Sequence, residues 1–320
     1  MTAPAPRRVV VLEEIHSDGL ARLSEAPGVE VVEGWRLSRE ALFQALGGAA
    51  AILVRFAPLG ADMIAAAPGL QIISKHGVGC DNIDTAAARA AGAEVTVTAD
   101  ANAQSVAEHT LALLLAAAKR LPMAAEVVRM DYGRRREMLS LDLSGRRILL
   151  VGYGRIGRRV APLCAAFGMK VVIFDRSRAD AGEIDGYEAA PTLAEGLTGA
   201  GALSLHAPLT AATRALIDRD ALLRLAPGAI VVNSSRGGLV DEAALAALAQ
   251  EGHIAGVAFD VYEEEPIRPG NPLLKLPGAV LTPHTAAMSE AGMRRMAVGA
   301  AANILDAFAG LLDPAMRFKG

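Results

Sequence analysis

Aromatic residues make up only 4% of this 320-residue chain, against 52% hydrophobic residues in all. Its core must therefore be built from aliphatic side chains and alanine, which suits helices packed closely on parallel sheets. Cysteine is nearly absent: Cys80 and Cys164 stand far apart, so there is no disulfide framework, no metal-ligand spacing and no redox pair. They read as small core residues in a reducing compartment, and no metal is expected. Neither sign of charge prevails, with 32 basic and 35 acidic residues and a net charge of −3, which excludes the basic footprint of a nucleic-acid binder. Long apolar runs are missing too. The longest, Leu111 to Ala118, is far too short to span a bilayer. Near the N-terminus a basic pair precedes the run Val9 to Leu12, but Glu13 and Glu14 cut it, so it reads as a first strand and not a signal peptide. The expectation is a soluble cytoplasmic protein with no membrane or nucleic-acid partner.

What is present is a long alternation of β-rich runs and amphipathic helices, and the length suits two domains. Strands are expected at Val9 to Leu12, Val29 to Val32, Ala51 to Val54, Gln71 to Ser74 and Glu94 to Thr98, with helices near 17–25, 38–46, 60–66 and 84–91. The stretch 102–120 is the strongest helix, ended by Leu121-Pro122, and a second helix over 122–131 leads to the basic loop Arg134-Arg135-Arg136. These helices are too apolar for a solvated linker, so part of their surface is expected to pack on a partner subunit. Further strands follow at Ala202 to Leu205, Ala229 to Asn233, Gly256 to Phe259 and Ala279 to Leu281, with helices near 212–225 and 241–250 and a last helix from Ser289 to Gly310. The fold class is α/β, with two doubly wound parallel-sheet domains.

The stretch Arg147 to Asp175 organises the rest. An apolar run, Ile148 to Val151, turns through Gly152, Gly154 and Gly157; Val160, Leu163, Cys164 and Phe167 then recur at helical spacing before a second buried strand, Val171 to Phe174. The three glycines do different things. Gly152 permits the tight turn, Gly154 lets a pyrophosphate approach the backbone, and Gly157 lets helix and strand lie close. Phosphates would sit on the free N–H groups opening the helix. Asp175, ending the second strand, is placed to accept hydrogen bonds from a ribose diol and to repel the extra phosphate of NADP. The cofactor read from this unit is NAD.

Ligands of doubly wound sheets bind beyond the carboxyl ends of strands, which directs attention to three segments. Asn233-Ser234-Ser235-Arg236 follows one strand, Asp260 to Pro266 another, and Thr282-Pro283-His284 a third. Taken singly, such an arginine or acidic run is as well explained by surface ion pairs. Together they suit hydride transfer to or from a 2-hydroxy or 2-oxo acid. Arg236 supplies two-pronged donors for a carboxylate and a developing oxyanion, and His284 a proton donor near neutral pH. Glu265 would fix the imidazole tautomer and raise its pKa, and Asp260 would lie nearer the nicotinamide amide. His109, in the apolar helix, reads as a packed or interface histidine.

The chain resembles the D-2-hydroxyacid dehydrogenases of the D-3-phosphoglycerate dehydrogenase type over nearly its whole length. The resemblance is carried by HGVGCDNID at 76–84, NAQSVAEHTLALLLAAAKR at 102–120, GYGRIG at 152–157, HAPLT at 206–210, NSSRGGLVDE at 233–242, DVYEEEP at 260–266 and TPH at 282–284. It implies that Arg236, Glu265 and His284 are the catalytic arginine, glutamate and histidine. It implies NAD contacts at Arg155, Ile156, Asp175, His206, Ala207, Pro208, Ser234, Ser235, Asp260 and His284, and a substrate carboxylate held at Val78 and Gly79. Glu265 is selected over its neighbours Glu263 and Glu264 by the motif alone. It implies also a flavodoxin-like substrate domain formed by residues 1–100 and 287–320, an NAD-binding Rossmann domain with dimerisation helices over 101–286, and a homodimer.

Substrate identity is less firmly written. Arg55 follows a strand, Lys75 precedes the anion loop, and Arg134 to Arg136 lie in a loop that could reach a neighbouring subunit. This charge points to a doubly anionic acid, 3-phosphoglycerate first, with solvated cations or pairing to Asp81 and Asp84 as the plainer explanation. The alternatives are a hydroxypyruvate or glyoxylate reductase and, from another class, an NAD-sensing corepressor-like binding protein. No C-terminal regulatory domain is expected, because the chain stops at 320.

Overall fold

The computed structural model describes residues 6–178 and 181–319; the first five residues of the N-terminal segment lie outside them. The chain parts into two compact units. One comprises the chain up to Asn102 with the chain from Met288 onward; the other is Ala103–Ala287.

The first unit is built on five strands, β1 (Arg7–Val11), β2 (Val29–Glu33), β3 (Ala49–Val54), β4 (Ile72–Lys75) and β5 (Glu94–Thr96). Every pair is parallel and the order is β2-β1-β3-β4-β5, the flavodoxin-like arrangement. Alternation along β1 explains the two faces: Val10 packs with Ile52, Val54 and Ile73, while Val9 and Val11 pack with Leu53, Ile72 and the C-terminal helix Glu290–Ala309. The intervening helices are α1 (Ser17–Ser24), α2 (Arg39–Leu46), α3 (Ala61–Ala65) and α4 (Thr85–Ala90). Ser38 and Asp84 cap two of them by accepting N–H groups of the first turn. A Cβ at Gly19 of α1 would lie 2.7 Å from that of Ala297, so α1 meets the C-terminal helix at a distance only glycine allows. The strand expected through Thr98 ends at Thr96. Thr98 turns to the loop after β4 instead, its hydroxyl oxygen accepting the Gly77 N–H at 3.0 Å.

The second unit begins with α5 (Ala103–Ala118) and α6 (Leu121–Met130), separated by Arg120 in the left-handed region, with Pro122 in the first turn of α6. Met130 (80%) and Val128 (65%) of α6 are exposed. Eight strands follow: β6 (Arg147–Val151), β7 (Lys170–Phe174), β8 (Glu183–Ile184), β9 (Tyr187–Ala189), β10 (Ala202–Leu205), β11 (Ala229–Asn233), β12 (Ile254–Phe259) and β13 (Val280–Leu281). Their order is β13-β12-β11-β10-β6-β7-β9-β8, parallel but for the β8–β9 hairpin at the edge. The chain reverses its direction of travel across the sheet at β6, so the turn after β6 and the end of β10 form the switch point. Ile148 and Leu150 face a layer with α5 and α7 (Gly157–Ala166); Leu149 and Val151 face α9 (Arg219–Leu223) and α10 (Glu242–Gln250). A short α8 (Leu193–Leu197) precedes β10.

Two sequence expectations give way here. The hairpin of β8 and β9 was not anticipated, although Asp185 and Gly186 take the two positive φ angles, 50° and 84°, of a tight hairpin turn. The helix expected over 212–225 is confined to α9. Ala215 sits at φ 49°, Thr213 Oγ1 accepts the Thr210 N–H at 2.7 Å and donates to the Pro208 carbonyl, and Asp218 then caps a new helix. Both cysteines are buried, and burial pushes the Cys164 thiol up to about 12. Among the described residues no helix is long and apolar enough to cross a membrane.

Candidate active site

The glycine turn after β6 has two kinds of glycine. Gly152 takes φ 94°, and a Cβ there would lie 2.7 Å from the His206 carbonyl oxygen at the end of β10. A Cβ at Gly157 would strike the carbonyl oxygen of Gly152, so α7 can start against β6 only with glycine at that position. At Gly154, by contrast, a Cβ would meet no protein atom within 4 Å. Two glycines answer the protein's own packing and the third leaves open room, as a phosphate beside the backbone requires. Arg155 is exposed and Ile156 packs against the layer beneath.

Asp175 turns back on this loop. Its Oδ2 accepts the Tyr153 N–H at 2.9 Å, and its Oδ1 accepts from the Ser177 N–H at 3.0 Å and hydroxyl at 2.6 Å. Burial pushes this carboxyl up, but those hydrogen bonds and the charge of Arg178 outweigh it and hold the group below the usual carboxylate range. His206 is held neutral by burial, its pKa lowered to about 4. Its Nε2 lies 3.0 Å from Ser204 Oγ, and its buried Nδ1 has no hydrogen-bond partner. An open phosphate space, an ionised carboxylate and an unsatisfied ring nitrogen beside one turn fit a dinucleotide.

Beyond β11, the fully buried Asn233 closes the next loop. Its Oδ1 accepts the Ser235 N–H at 3.0 Å and its Nδ2 donates to the Arg236 carbonyl at 2.9 Å. Ser235 Oγ donates to the Ala207 carbonyl at 2.6 Å, beside Pro208, while Ser234 Oγ lies 2.6 Å from Thr110 Oγ1 of α5. Arg236 is thus fixed at its backbone, with Nη1 donating to the Ser235 carbonyl at 2.7 Å. A Cβ at Gly237 would collide with the Tyr262 carbonyl carbon, so this loop presses directly on the one that follows β12.

That second loop carries Glu265. Its Oε1 accepts the Tyr262 N–H at 3.0 Å, and its Oε2 lies 2.7 Å from His284 Nδ1. Burial pushes the Glu265 carboxyl up, but His284, the Tyr262 N–H and the charge of Arg236 together hold it below the usual range. Since a carboxylate only accepts, Nδ1 carries the hydrogen. His284 itself sits at φ 53°, a left-handed position that is uncommon for histidine and is imposed by its surroundings. Those surroundings are Asp260: the His284 N–H donates to its carbonyl at 2.8 Å, and its fully buried carboxylate accepts the Thr282 hydroxyl at 2.5 Å and the N–H groups of Thr285 and Ala286 at 2.9 and 2.8 Å. Asp260, expected beside the nicotinamide amide, here spends both oxygens on the segment that presents His284.

Sequence reasoning set His109 aside as packed or interfacial. Its Nε2 lies 3.0 Å from Thr282 Oγ1 and 3.5 Å from the Asp260 carboxylate, which makes it part of the network behind His284. Thr110, Thr282 and Tyr262, whose hydroxyl donates to the Thr282 carbonyl at 2.9 Å, were missed as well. The only hint lay in their standing within the quoted motifs, because hydroxyl pairing depends on tertiary placement.

The residues expected to meet the substrate lie in the first unit. Lys75 is 6% exposed; its Nζ donates to the Arg55 carbonyl and, at 2.5 Å, to Asn82 Oδ1. It ties the loop after β3 to the loop after β4. Arg55 is half-buried, and its guanidinium lies over the Phe56 ring at 4.7 Å from the centroid, while Glu13 accepts the Arg55 and Phe56 N–H groups. Val78 is exposed at the loop tip and Gly79 half-buried beside it. His76 is 3% exposed, with neither ring nitrogen hydrogen-bonded; burial first, then the charge of Arg55, lowers its pKa to about 4. In the basic loop, Arg134 pairs with Glu137 at 3.0 Å and Arg135 lies over Tyr132.

Residues 111–286 match the family described as D-isomer specific 2-hydroxyacid dehydrogenase, NAD binding domain. The chain belongs to this family. A D-3-phosphoglycerate dehydrogenase of Mycobacterium tuberculosis is 38% identical over 309 residues, 96% of this chain but 58% of that protein. A glyoxylate reductase of Korarchaeum cryptofilum is 36% identical over 317 residues, 96% of this chain and 94% of that one. Among solved structures, the TT0316 protein of Thermus thermophilus is similar at a TM-score of 0.87 and 36% identity, covering 98% of this chain and 100% of its own. An NADPH-dependent glyoxylate/hydroxypyruvate reductase of Sinorhizobium meliloti, in complex with NADP and malonate, is similar at 0.82 and 30% identity, covering 99% and 100%. As a 2-hydroxyacid dehydrogenase family member, the chain carries the glycine turn and Asp175 inside the region matched as NAD-binding.

Proposed function

We propose that the chain is an NAD-dependent oxidoreductase moving a hydride between a nicotinamide and a small D-2-hydroxy or 2-oxo acid. The observation that carries this is the Glu265–His284 pair at 2.7 Å, beside an arginine whose charge reaches Glu265. When bound, the nicotinamide supplies or takes the hydride. Arg236 binds the substrate carboxylate and the carbonyl oxygen, a two-pronged cation where negative charge develops. His284 gives a proton from Nε2 to that oxygen in reduction and removes it in oxidation, while Glu265 holds Nδ1 and so the tautomer. The Val78 and Gly79 amides take the substrate carboxylate. Asp175 takes the ribose diol and disfavours NADP.

The finer reading is 3-phosphoglycerate or a similar doubly anionic acid, with Arg55 taking the second anion. A second reading, glyoxylate or hydroxypyruvate reductase, is favoured by the burial of Lys75, which removes one of the cations counted for a second anion. NADH absorbance followed with glyoxylate, hydroxypyruvate and 3-phosphohydroxypyruvate separates them. Fastest turnover of the phosphorylated acid supports the first, and fastest turnover of the small acids the second. No turnover with any acid alongside tight NADH binding contradicts both and favours a cofactor-sensing binding protein. A homodimer joined through α6 accounts for its exposed Met130 and Val128; a monomer mass in sedimentation contradicts it.

A further inference from the structure

Glu242 opens α10, one residue after its cap Asp241, yet it is only 4% exposed. A glutamate in the first turn is favourable while it faces solvent near the helix N-terminus; burial gives that up unless its oxygens find donors. Glu242 finds them in the acidic loop after β12. One oxygen accepts the backbone N–H of Glu263 at 2.7 Å, and the other accepts from Asn271 Nδ2 at 2.5 Å.

These two donors bracket Glu265 in the chain. Within the bracket, the three consecutive glutamates have three different fates. The N–H of Glu263 is held by Glu242, the carboxylate of Glu264 pairs with Arg268, and the carboxylate of Glu265 meets Tyr262 N–H and His284. Burial pushes the Glu242 carboxyl up, its two hydrogen bonds pull against this, and the nearby charges of Glu263 and Glu265 add to the rise. A buried carboxylate among like charges is a weak device for stability, which leaves geometry as its use.

We propose that Glu242 is a positioning residue of the acid–base pair: by clamping Glu263 and Asn271 it decides which of the three glutamates faces His284. The inference rests on the reading of Glu265 and His284 given above. Glu242 touches neither of them in a hydrogen bond; it acts through the loop backbone.

Glu242→Gln tests this, because the new amide sets a donor against a donor at one of the two contacts. The expected result is a fall in kcat of about 10²-fold with NADH affinity unchanged, the loss that an ångström-scale misplacement brings. The acid limb of the pH–rate profile moves up, since Glu265 released from His284 loses what holds its carboxyl down. Adding Asn271→Asp restores complementarity: the amide of residue 242 then donates to the new carboxylate, and its oxygen still accepts the Glu263 N–H. The double variant recovers kcat and the acid limb. A Glu242→Gln enzyme with wild-type kcat and acid limb overturns the proposal, as does a double variant that regains the wild-type melting temperature without the rate. The NMR signal of the His284 Nδ1 proton reads the same geometry without turnover: present in the wild type, lost in Glu242→Gln and regained in the double variant. If the wild type turns over no acid, the functional reading fails while this signal still decides the positioning role; a signal unchanged in Glu242→Gln contradicts it.

Discussion

The two loop regions that carry the charged side chains are held in opposite ways. Around His284, Asp260 and Glu265 each accept two or more hydrogen bonds, and Arg236 is anchored through Asn233. Around Arg55 and His76, Lys75 and Glu13 are spent on loop backbone and side chains, and the imidazole of His76 has no hydrogen-bond partner. The first region has its polar groups aimed before any ligand arrives, which is the condition for stabilising a developing charge cheaply. The second keeps donors in reserve. Substitutions in the first should lower kcat for every acid, and substitution of Arg55 in the second should change which acid is preferred.

The largest effect that could break this contrast is at Arg236. Arg236→Lys keeps the charge and removes the fork, so kcat/KM should fall by about 10²–10³-fold with every acid tested. A loss confined to one acid would assign Arg236 to specificity instead. Gly157→Ala drives a Cβ into the Gly152 carbonyl, and overpacking of about 1–3 kcal/mol should lower the melting temperature and weaken NADH together. Asp175→Ala should raise the KM for NAD by roughly tenfold, about the 1–2 kcal/mol of hydrogen bonds to a charged group, and leave NADP nearly unchanged; an unaltered NAD/NADP ratio would remove Asp175 from the ribose.

The pH dependence sharpens the first half of the contrast. Glu265 is held below the usual carboxylate range, so its pair with His284 is complete above that range and is lost only as pH falls through the lowered value. Activity should persist to lower pH than an ordinary glutamate would allow, and a pH–rate profile of kcat/KM reads this directly. The smallest effects belong to the cations. Arg55→Met should raise KM for a doubly anionic acid more than for glyoxylate, whereas Lys75→Met should lower thermal stability with all acids affected alike. Arg134→Ala, removing an exposed pair with Glu137, should change stability by less than about 1 kcal/mol.

Much of this was legible in the sequence because it is local. The strand, glycine turn, helix and second strand of 147–175 fix their own geometry, and the positive φ of Gly152 and the missing room at Gly157 are the physical content of that spacing. Strand-end placement likewise directed attention to Arg236, Glu265 and His284. What was not legible is tertiary. Nothing near Lys75 in sequence shows that its ammonium is buried against the Arg55 carbonyl, 20 residues away, and nothing near Asp260 shows that Thr282, Thr285 and Ala286 consume its oxygens. His109 lies 173 residues from Thr282 and looked apolar by its neighbours. The hairpin at Asp185-Gly186 is a different case, since its turn dipeptide was plainly present and its strands were too short to show a period.

The most direct test of the central claim is His284→Asn, measured in one preparation for NADH binding by fluorescence titration and for NADH oxidation with the best acid of the panel. Asparagine can still donate toward Glu265 but cannot exchange a proton with the substrate. NADH should bind as in the wild type while turnover falls by at least about 10²-fold, the scale of general acid–base catalysis. Turnover near the wild-type rate would show that the proton comes from another group, and the account built on Glu265 and His284 would not survive it.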